Sequence, residues 1–163
     1  MENSVRPMRR KDRLLTSEEA STLLSGAEYG ILSTVGQDAQ PYATPLSFVV
    51  ENETIYFHCA FSGQKIDNLK CPPKICFCTV GKTQPIFENN DYSTYYESTI
   101  AYGNAYEVTD PAEKEQALRL LCQKYLPKNM EAFESAMKQS AAHTAVWGIR
   151  IHTLTGKAKR PKP

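Results

Sequence analysis

The chain has 163 residues, 41% of them hydrophobic, and its nineteen basic residues nearly balance eighteen acidic ones. This length predicts a single domain over residues 1–163, with enough apolar side chains for one core. A formal net charge of +1 supplies no general field for holding nucleic acid, so we expect no nucleic-acid partner. No apolar run approaches the roughly 20 residues of a membrane span, so we expect no membrane insertion.

The five cysteines indicate a reduced chain. They are odd in number, contain no CxxC pair and follow no secretory leader, a combination typical of cytoplasmic proteins. Cys76 and Cys78 would share one face of a strand, but no nearby cysteine or histidine pair completes a zinc ligand set. We therefore predict no metal site and interpret these cysteines as packing residues.

The two ends of the chain are basic and polar, which predicts surface tails over residues 1–13 and 156–163. Just after the first tail, Thr16 followed by Glu19 is typical of a capping box, and it predicts a short helix that ends near Gly26.

Strands are predicted next, at residues 29–35, 41–50 and 54–59, and the turn residues between them favour an antiparallel meander. Alternation in the second segment places every other side chain on one face. Pro41 and Pro45 cannot donate ladder hydrogen bonds, so this strand should lie at an edge or a bulge, with its backbone free to meet another molecule.

The middle of the chain predicts a short helix at residues 65–70, stopped by Pro72 and Pro73, and then strands at 74–80 and 93–108. Some six strands in a chain of this size are best protected as a closed or nearly closed antiparallel sheet with a few helices around it.

A longer helix is predicted to begin at Asp110, Pro111 and Glu113, which supply a cap, a first-turn proline and a capping-box acid. We interpret its apolar stripe as core packing; the stripe consists of Leu118, Leu121, Cys122 and Tyr125. Met130, Phe133 and Met137 suggest a further short helix, and residues 144–154 predict a final strand.

The turn after the strand at 54–59 has the character of a phosphate site. Gly63 permits a tight turn, Ser62 can cap or donate, and Lys65 lies at a helix start, where a cation is unfavourable unless an anion sits nearby. Together with His58 and the strand freed by Pro45, this turn suits a ligand with a planar ring and a phosphate tail. The sequence contains no Rossmann fingerprint, P-loop, nucleophile elbow or zinc-ligand spacing.

Several stretches, in order and at their spacing, match the pattern of a known family. They are "MRRKDR", "YGILSTVGQDAQPYATPLSFVVENETIYFHCAFSGQKIDNLK", "ESTIAYGNAYEVTDPAEKEQAL" with "KYLP" after it, and "IRIHTLTGKA". Over nearly its whole length the chain resembles the flavin-binding split-barrel proteins related to pyridoxamine 5'-phosphate oxidase, and within them the nitroimidazole-resistance branch.

The resemblance implies a mainly β fold with flanking helices: a six-stranded antiparallel split β-barrel of the FMN-binding type. It also implies a homodimer with two flavins in clefts at the subunit interface. The residues that would meet the isoalloxazine ring, largely through backbone groups, are Thr44, Pro45, Leu46, Ser47 and Phe48. Those that would line the ribityl and phosphate part are His58, Ala60, Gln64 and Lys65, beside the turn at Gly63. The contributions implied from the partner subunit are Ser98 and Trp147.

Members of this family use FMN, FAD, deazaflavin or haem. We expect FMN here, with FAD left open because no residue separates the two, and haem as the less favoured alternative. The chain lacks the C-terminal arginine-and-histidine segment of true pyridoxamine phosphate oxidases, so oxidation of vitamin B6 is not expected.

These observations favour a flavin-dependent oxidoreductase that passes electrons from a nicotinamide donor to a small electrophile, such as a 5-nitroimidazole or another nitroaromatic. We assign His58 as its catalytic proton donor or substrate anchor, because it is the nearby side chain able to exchange a proton near neutral pH. The alternative is a flavin- or haem-binding split barrel without turnover, in which His58 could be an axial haem ligand.

Overall fold

The computed structural model describes residues 6–70 and 74–161. Its strands are β1 (Gly30–Val35), β2 (Pro41–Leu46), β3 (Val49–Glu51), β4 (Thr54–Cys59), β5 (Lys74–Glu88), β6 (Asp91–Glu107) and β7 (Ala145–Lys159). Its helices are α1 (Ser17–Gly26), α2 (Gln64–Leu69), α3 (Pro111–Tyr125) and α4 (Phe133–Ser140). Short 3₁₀ turns lie at Lys11–Arg13, Pro127–Ala132 and Ala141–His143.

The strands described form one antiparallel sheet of seven, in the order β2-β1-β5-β6-β7-β4-β3. Its two edge strands, β2 and β3, are consecutive in the chain and separated only by Ser47 and Phe48. The three peptide steps from Leu46 to Val49 span at most about 11 Å, so the sheet must curve round until its edges approach each other. The edges are not hydrogen-bonded to one another, and the fold is a split barrel with flanking helices, as predicted.

The prediction of one continuous strand over residues 41–50 is wrong, and this break raises the strand count from the expected six to seven. The cause is Phe48, whose backbone N–H donates to the hydroxyl of Tyr125 at 3.0 Å instead of joining a ladder. The chain therefore leaves one edge at Leu46 and enters the other at Val49. The edge position inferred from Pro41 and Pro45 is confirmed, because β2 pairs only with β1 among the strands described.

The two central strands are longer than predicted. β5 and β6 continue into a hairpin whose turn residues, Asn89 and Asn90, have φ angles of 52° and 62°, as a two-residue hairpin turn requires. The strand predicted at 74–80 continues through Gly81 and Pro85, and the ladder accommodates this region with a register shift between Val80 and Thr83.

The final strand is also longer than predicted. The prediction of a surface tail over 156–163 is therefore wrong for residues 156–159, which belong to β7. Gly156 and Ala158 are buried in β7, which pairs with β6 as far as Lys159. A Cβ at Gly156 would lie 2.9 Å from the Cβ of Ala20 in α1, so glycine lets this helix approach the strand closely. The helix predicted at 65–70 is confirmed as α2, while Pro72 and Pro73 lie outside the described residues.

Helix starts are set by local hydrogen bonds. In α1 the capping box is confirmed: the Thr16 hydroxyl accepts from Glu19 N–H at 3.2 Å, and the Glu19 carboxylate accepts from Thr16 N–H at 2.9 Å. In α3, the Asp110 carboxylate accepts from Glu113 N–H at 2.8 Å, which confirms the cap. The prediction that the Glu113 carboxylate completes a capping box is wrong. The Glu113 carboxylate instead accepts from the hydroxyls of Tyr56 (2.9 Å) and Tyr106 (2.6 Å), which attaches α3 to the sheet.

The barrel interior is apolar and closely packed. The side chains that are fully buried there include Leu32, Phe48, Ile55, Phe57, Phe77 and Ile149. Helix α3 covers the end of the sheet formed by β3, β4 and β7, and this is the region where the predicted site residues lie.

Candidate functional site

The segment that joins the two edges of the sheet is held by the last turn of α3. The Phe48 carbonyl accepts from Lys124 Nζ at 3.1 Å, and the Lys124 ammonium lies 4.2 Å from the centroid of the Phe48 ring. The Tyr125 hydroxyl accepts from Phe48 N–H at 3.0 Å, and its single proton is shared between the carbonyls of Glu28 at 2.7 Å and Phe48 at 2.9 Å. Both backbone groups of Phe48 are thus bound within the chain. Phe48 therefore positions the segment, and it does not offer the free backbone groups expected of it.

The contacts of Lys124 and Tyr125 with Phe48 are not predicted from the sequence. These residues lie 76 and 77 positions from Phe48, respectively, and no local spacing signals such a contact. The apolar stripe of α3 includes Tyr125, but it does not show that the tyrosine hydroxyl reaches the backbone of another element.

The turn after β4 has the backbone expected of a tight ligand loop. Gly63 has a φ of 117°, a conformation that side-chain-bearing residues rarely adopt, and a Cβ there would meet no atom of the described residues within 4 Å. Helix α2 begins directly afterwards at Gln64, and Ala60, Gly63 and Gln64 are all exposed. The turn therefore keeps an open space beside its backbone.

Lys65 follows this turn and is half-buried, with its ammonium 5.5 Å from the centroid of the Phe57 ring. Among the described residues, no carboxylate lies within the 4.0 Å of an ion pair with it. A cation in the first turn of a helix is unfavourable. Phe57 and the Asp67 carboxylate in the same turn of α2 offset this charge in part, but Lys65 has no ion-pair partner among the described residues.

His58 lies beside this cation, at the end of β4. Desolvation by its neighbours, and then the positive charge of Lys65, lower the pKa of the His58 imidazole from its ordinary value. The side chain is therefore neutral near pH 7 and can both donate and accept a hydrogen bond. Desolvation raises the pKa of the adjacent Cys59 thiol although Lys65 opposes it, so this cysteine is not an activated thiolate.

Two of the predicted residues meet at a cavity. Ser47 and His58 line a space of about 330 Å³, whose other walls come mainly from α3 and α4. Thr44 contributes a different feature, a buried hydroxyl oxygen that has no hydrogen-bond partner among the described residues. Leu46 is half-buried, and Pro45 is exposed on the outward side of β2.

The two residues expected from a partner subunit do not line this cavity. Trp147 is only 4% exposed, and it pairs with Phe57 in the barrel core. Ser98 lies on β6 opposite Val80 and Lys157, on the outward side of the sheet.

The outward side of the sheet carries two rows of uncharged residues, which we call the outer face. One row pairs across five strands as Pro45, Ile31, Cys78, Ile100 and Thr155; the next is Ala43, Ser33, Cys76, Tyr102 and Thr153. Each of these residues is exposed or half-buried, whereas their neighbours Leu32, Phe77 and Ala101 are buried in the core. Ser98 continues the outer face next to Ile100.

Within residues 6–70 and 74–161, no three histidine, cysteine or acidic side chains lie close enough together to hold a metal ion. No helix in the same ranges is long and apolar enough to cross a membrane.

Comparison with known proteins gives one family and several structures. The model of the pyridoxamine 5'-phosphate oxidase family matches residues 16–158. No curated protein sequence matches the chain.

Three solved structures illustrate the structural likeness. A flavocytochrome from Azotobacter vinelandii has a TM-score of 0.82 at 19% identity, covering 96% of this chain and 74% of that one. A candidate 5-nitroimidazole antibiotic resistance protein from Bacteroides thetaiotaomicron has a TM-score of 0.74 at 21% identity, with 89% and 86% covered. A FAD-binding protein from Mesorhizobium loti has a TM-score of 0.66 at 21% identity, with 91% and 98% covered. At these identities the likeness shows the fold alone.

Proposed function

Because the chain belongs to the pyridoxamine 5'-phosphate oxidase family, we propose that it is a flavin-dependent oxidoreductase. It takes electrons from a nicotinamide donor and reduces a small electrophile such as a nitroaromatic. The observation that carries this proposal is Lys65, a half-buried cation with no carboxylate partner among the described residues, placed beside His58 in the turn after β4. A flavin phosphate would supply the missing anion.

The residues at the site are suited to such a group. Lys65 would hold the phosphate, and the open space beside Gly63 lets it approach the backbone. The planar ring would lie along the segment 44–47, where Pro45 leaves an edge of the sheet without a donor and Thr44 has an unpartnered hydroxyl. We propose FMN because these residues provide for one phosphate; the FAD in the name of the Mesorhizobium loti protein makes FAD the alternative to test.

When bound, a flavin supplies the hydride and electron transfer. The part of this chain is to hold and orient the reactants. The neutral imidazole of His58 would anchor the substrate by a hydrogen bond and exchange a proton with it. Its lowered pKa favours the neutral form, which can accept a hydrogen bond. The segment 44–48, fixed by Tyr125, would keep the ring in one orientation.

We further propose that the protein acts as a homodimer with the flavin at the subunit interface. The outer face is uncharged over two rows of five residues, and an unpartnered sheet face of this kind favours association with a second copy. Pro45 and Ser98 both lie on this side of the sheet, so a partner there would bring its own Ser98 to a shared interface.

We also propose that the protein is cytoplasmic. The four cysteines in the described residues are free thiols, and free thiols are typical of reducing compartments.

The test is the spectrum and turnover of the purified protein. We expect a flavin absorption spectrum, release of FMN on heating as identified by mass, and steady NADH or NADPH oxidation that depends on an added nitro compound. A strong haem band with no released flavin would overturn the proposal in favour of a haem-binding barrel. Bound flavin without turnover with either donor would leave a flavin-binding module and refute the enzyme.

A further inference from the structure

Two apolar helix faces surround a cavity instead of packing directly against each other. The residues that line it are spaced i, i+3, i+4 and i+7 in both helices: Leu118, Leu121, Cys122 and Tyr125 of α3, and Phe133, Ala136, Met137 and Ser140 of α4. The apolar pattern of α3 predicts core packing, but these side chains leave a space of about 330 Å³. That volume falls in the range of small-molecule sites.

Both ends of α4 are attached to α3. At the start of α4, Glu134 accepts from Arg119 at 2.7 Å, and the Arg119 guanidinium lies 4.2 Å from the centroid of the Phe133 ring. Just after its end, the carbonyl of Ala141 accepts from Lys114 Nζ at 2.8 Å. These contacts, together with the burial of Phe133, hold α4 beside α3, so the cavity between them is a built feature of the fold.

The floor of the cavity belongs to the sheet, at the site where the flavin is proposed to bind. Ser47, His58 and Thr144 line it from this side. Ser47 lies in the segment proposed to carry the ring, and His58 stands beside Lys65 at the end of β4. A molecule in the cavity would therefore meet residues that also face the flavin site.

The lining determines which molecules fit. It is mainly aliphatic, aromatic and sulfur-containing, with hydroxyls at Ser47, Tyr125, Ser140 and Thr144. Among the described residues, the imidazole of His58 is the one acidic or basic side chain in the lining. An anion would lose its hydration here without gaining a fixed cation. A neutral apolar molecule with one small polar group would bury its body and turn that group toward Ser47 and His58.

We infer that the cavity between α3 and α4 is the substrate site, and that it selects neutral aromatic molecules over anionic ones. This inference rests on the proposed function. It assigns the substrate to this side of the segment 44–48, and it makes Met137 of α4 a residue that determines specificity by limiting the size of the substrate.

The experiment measures equilibrium binding by calorimetry, on stripped and on FMN-loaded protein, with nitrobenzene and 4-nitrobenzoate as probes. We expect nitrobenzene to bind roughly tenfold or more tightly than 4-nitrobenzoate. Met137→Trp, which fills the cavity, should weaken nitrobenzene binding by roughly tenfold or more and leave FMN affinity within about twofold. The matched control is Lys138→Trp on the exposed side of the same helix, which should leave both affinities within about twofold.

Met137→Ala keeps the inference testable if the tryptophan variant fails to fold. It enlarges the cavity, so it should shift preference from nitrobenzene toward 1-nitronaphthalene by roughly tenfold. Unchanged probe binding in both Met137 variants would overturn the inference, and so would a loss of FMN affinity in Met137→Trp, because the cavity would then hold the flavin itself. Failure of the wild-type protein to bind any flavin would refute the proposed function instead, and probe binding to the stripped protein would still decide whether the cavity is a ligand site.

Discussion

Lys65 shows how one side chain can indicate a ligand. Its ammonium sits in the first turn of α2, where the helix already presents unpaired N–H groups, and the described residues offer it no ion-pair partner. Selection for helix stability alone would not place a lysine there. A bound phosphate resolves the conflict, because it would accept hydrogen bonds from the ammonium and from the exposed N–H groups.

Replacing Lys65 with alanine should therefore affect binding and not folding. We expect Lys65→Ala to lose about 1.5 to 3 kcal/mol of FMN binding free energy, or roughly ten- to a hundredfold in affinity, because a charge-assisted contact disappears. Thermal unfolding of the flavin-free protein should stay close to that of the wild type. Lys70→Ala, an exposed position just after the same helix, is the matched control, and titration with FMN and FAD is the measurement. Equal affinity in Lys65→Ala and wild type would mean that the phosphate lies elsewhere.

A second prediction concerns the pKa of the His58 imidazole, which can be measured by NMR titration. Desolvation and the charge of Lys65 lower its pKa in the flavin-free protein. A phosphate bound beside Lys65 offsets that positive charge, so FMN should raise the pKa of His58. Riboflavin, which lacks the phosphate, is the control and should not raise the pKa of His58. Lys65→Ala should raise it without any ligand, and a titration insensitive to FMN would contradict the proposed phosphate position.

At the scale of elements, α3 positions the site because both of its ends are attached to the sheet. At the start, Glu113 accepts from the hydroxyls of Tyr56 and Tyr106. At the end, Lys124 and Tyr125 bind the backbone of Phe48, where the chain passes from one edge of the barrel to the other. The helix thus connects the wall of the cavity to the segment proposed to carry the flavin ring.

Tyr125→Phe tests this attachment. The variant leaves the buried Phe48 N–H without its acceptor, so we expect a loss of about 1–3 kcal/mol in the free energy of unfolding. FMN affinity should fall as well, because the segment 44–48 loses its fixed orientation. Chemical denaturation and FMN titration measure the two effects. Tyr29→Phe, which removes a hydroxyl from an exposed side chain, is the control, and parallel behaviour of the two variants would show that the hydroxyl of Tyr125 does not hold the segment.

At the scale of the whole molecule, the outer face remains uncovered in one chain. It joins β2, β1, β5, β6 and β7 through paired residues that carry no charge, next to Ser98. A second copy on this face would bury it and contribute groups to the flavin. Dimer formation and flavin binding should then stabilise each other by mass action.

Ile100→Arg tests this coupling, because it places a charge within the outer face, between Cys78 and Thr155. We expect the variant to be monomeric in light scattering and to lose roughly tenfold or more in FMN affinity. Its fold should persist, since Ile100 points away from the core. Thr22→Arg, on the exposed side of α1, should change neither property. A monomeric wild-type protein that holds stoichiometric flavin would refute the proposed interface.

The sequence by itself determined the features that depend on neighbouring residues or on periodicity. The cap of α1, the start of α3, the turn at Gly63 and the edge position of β2 follow from such local rules, and the structure confirms them. The outlines of the strands follow from alternation, although β5 and β7 run further than predicted.

Tertiary structure alone decided the features that depend on contacts between distant parts of the chain. Residues 41–50 divide between the edge strands β2 and β3 because the backbone N–H of Phe48 donates to the hydroxyl of Tyr125, 77 positions away. The stripe of α3 lines a cavity because the buried Phe133 side chain and the bond from Lys114 to Ala141 hold α4 beside it. A pattern of apolar residues shows which face of a helix is buried, but the distance to the opposite face depends on side chains elsewhere in the fold. The outer face likewise forms only when the register of five strands aligns its uncharged residues.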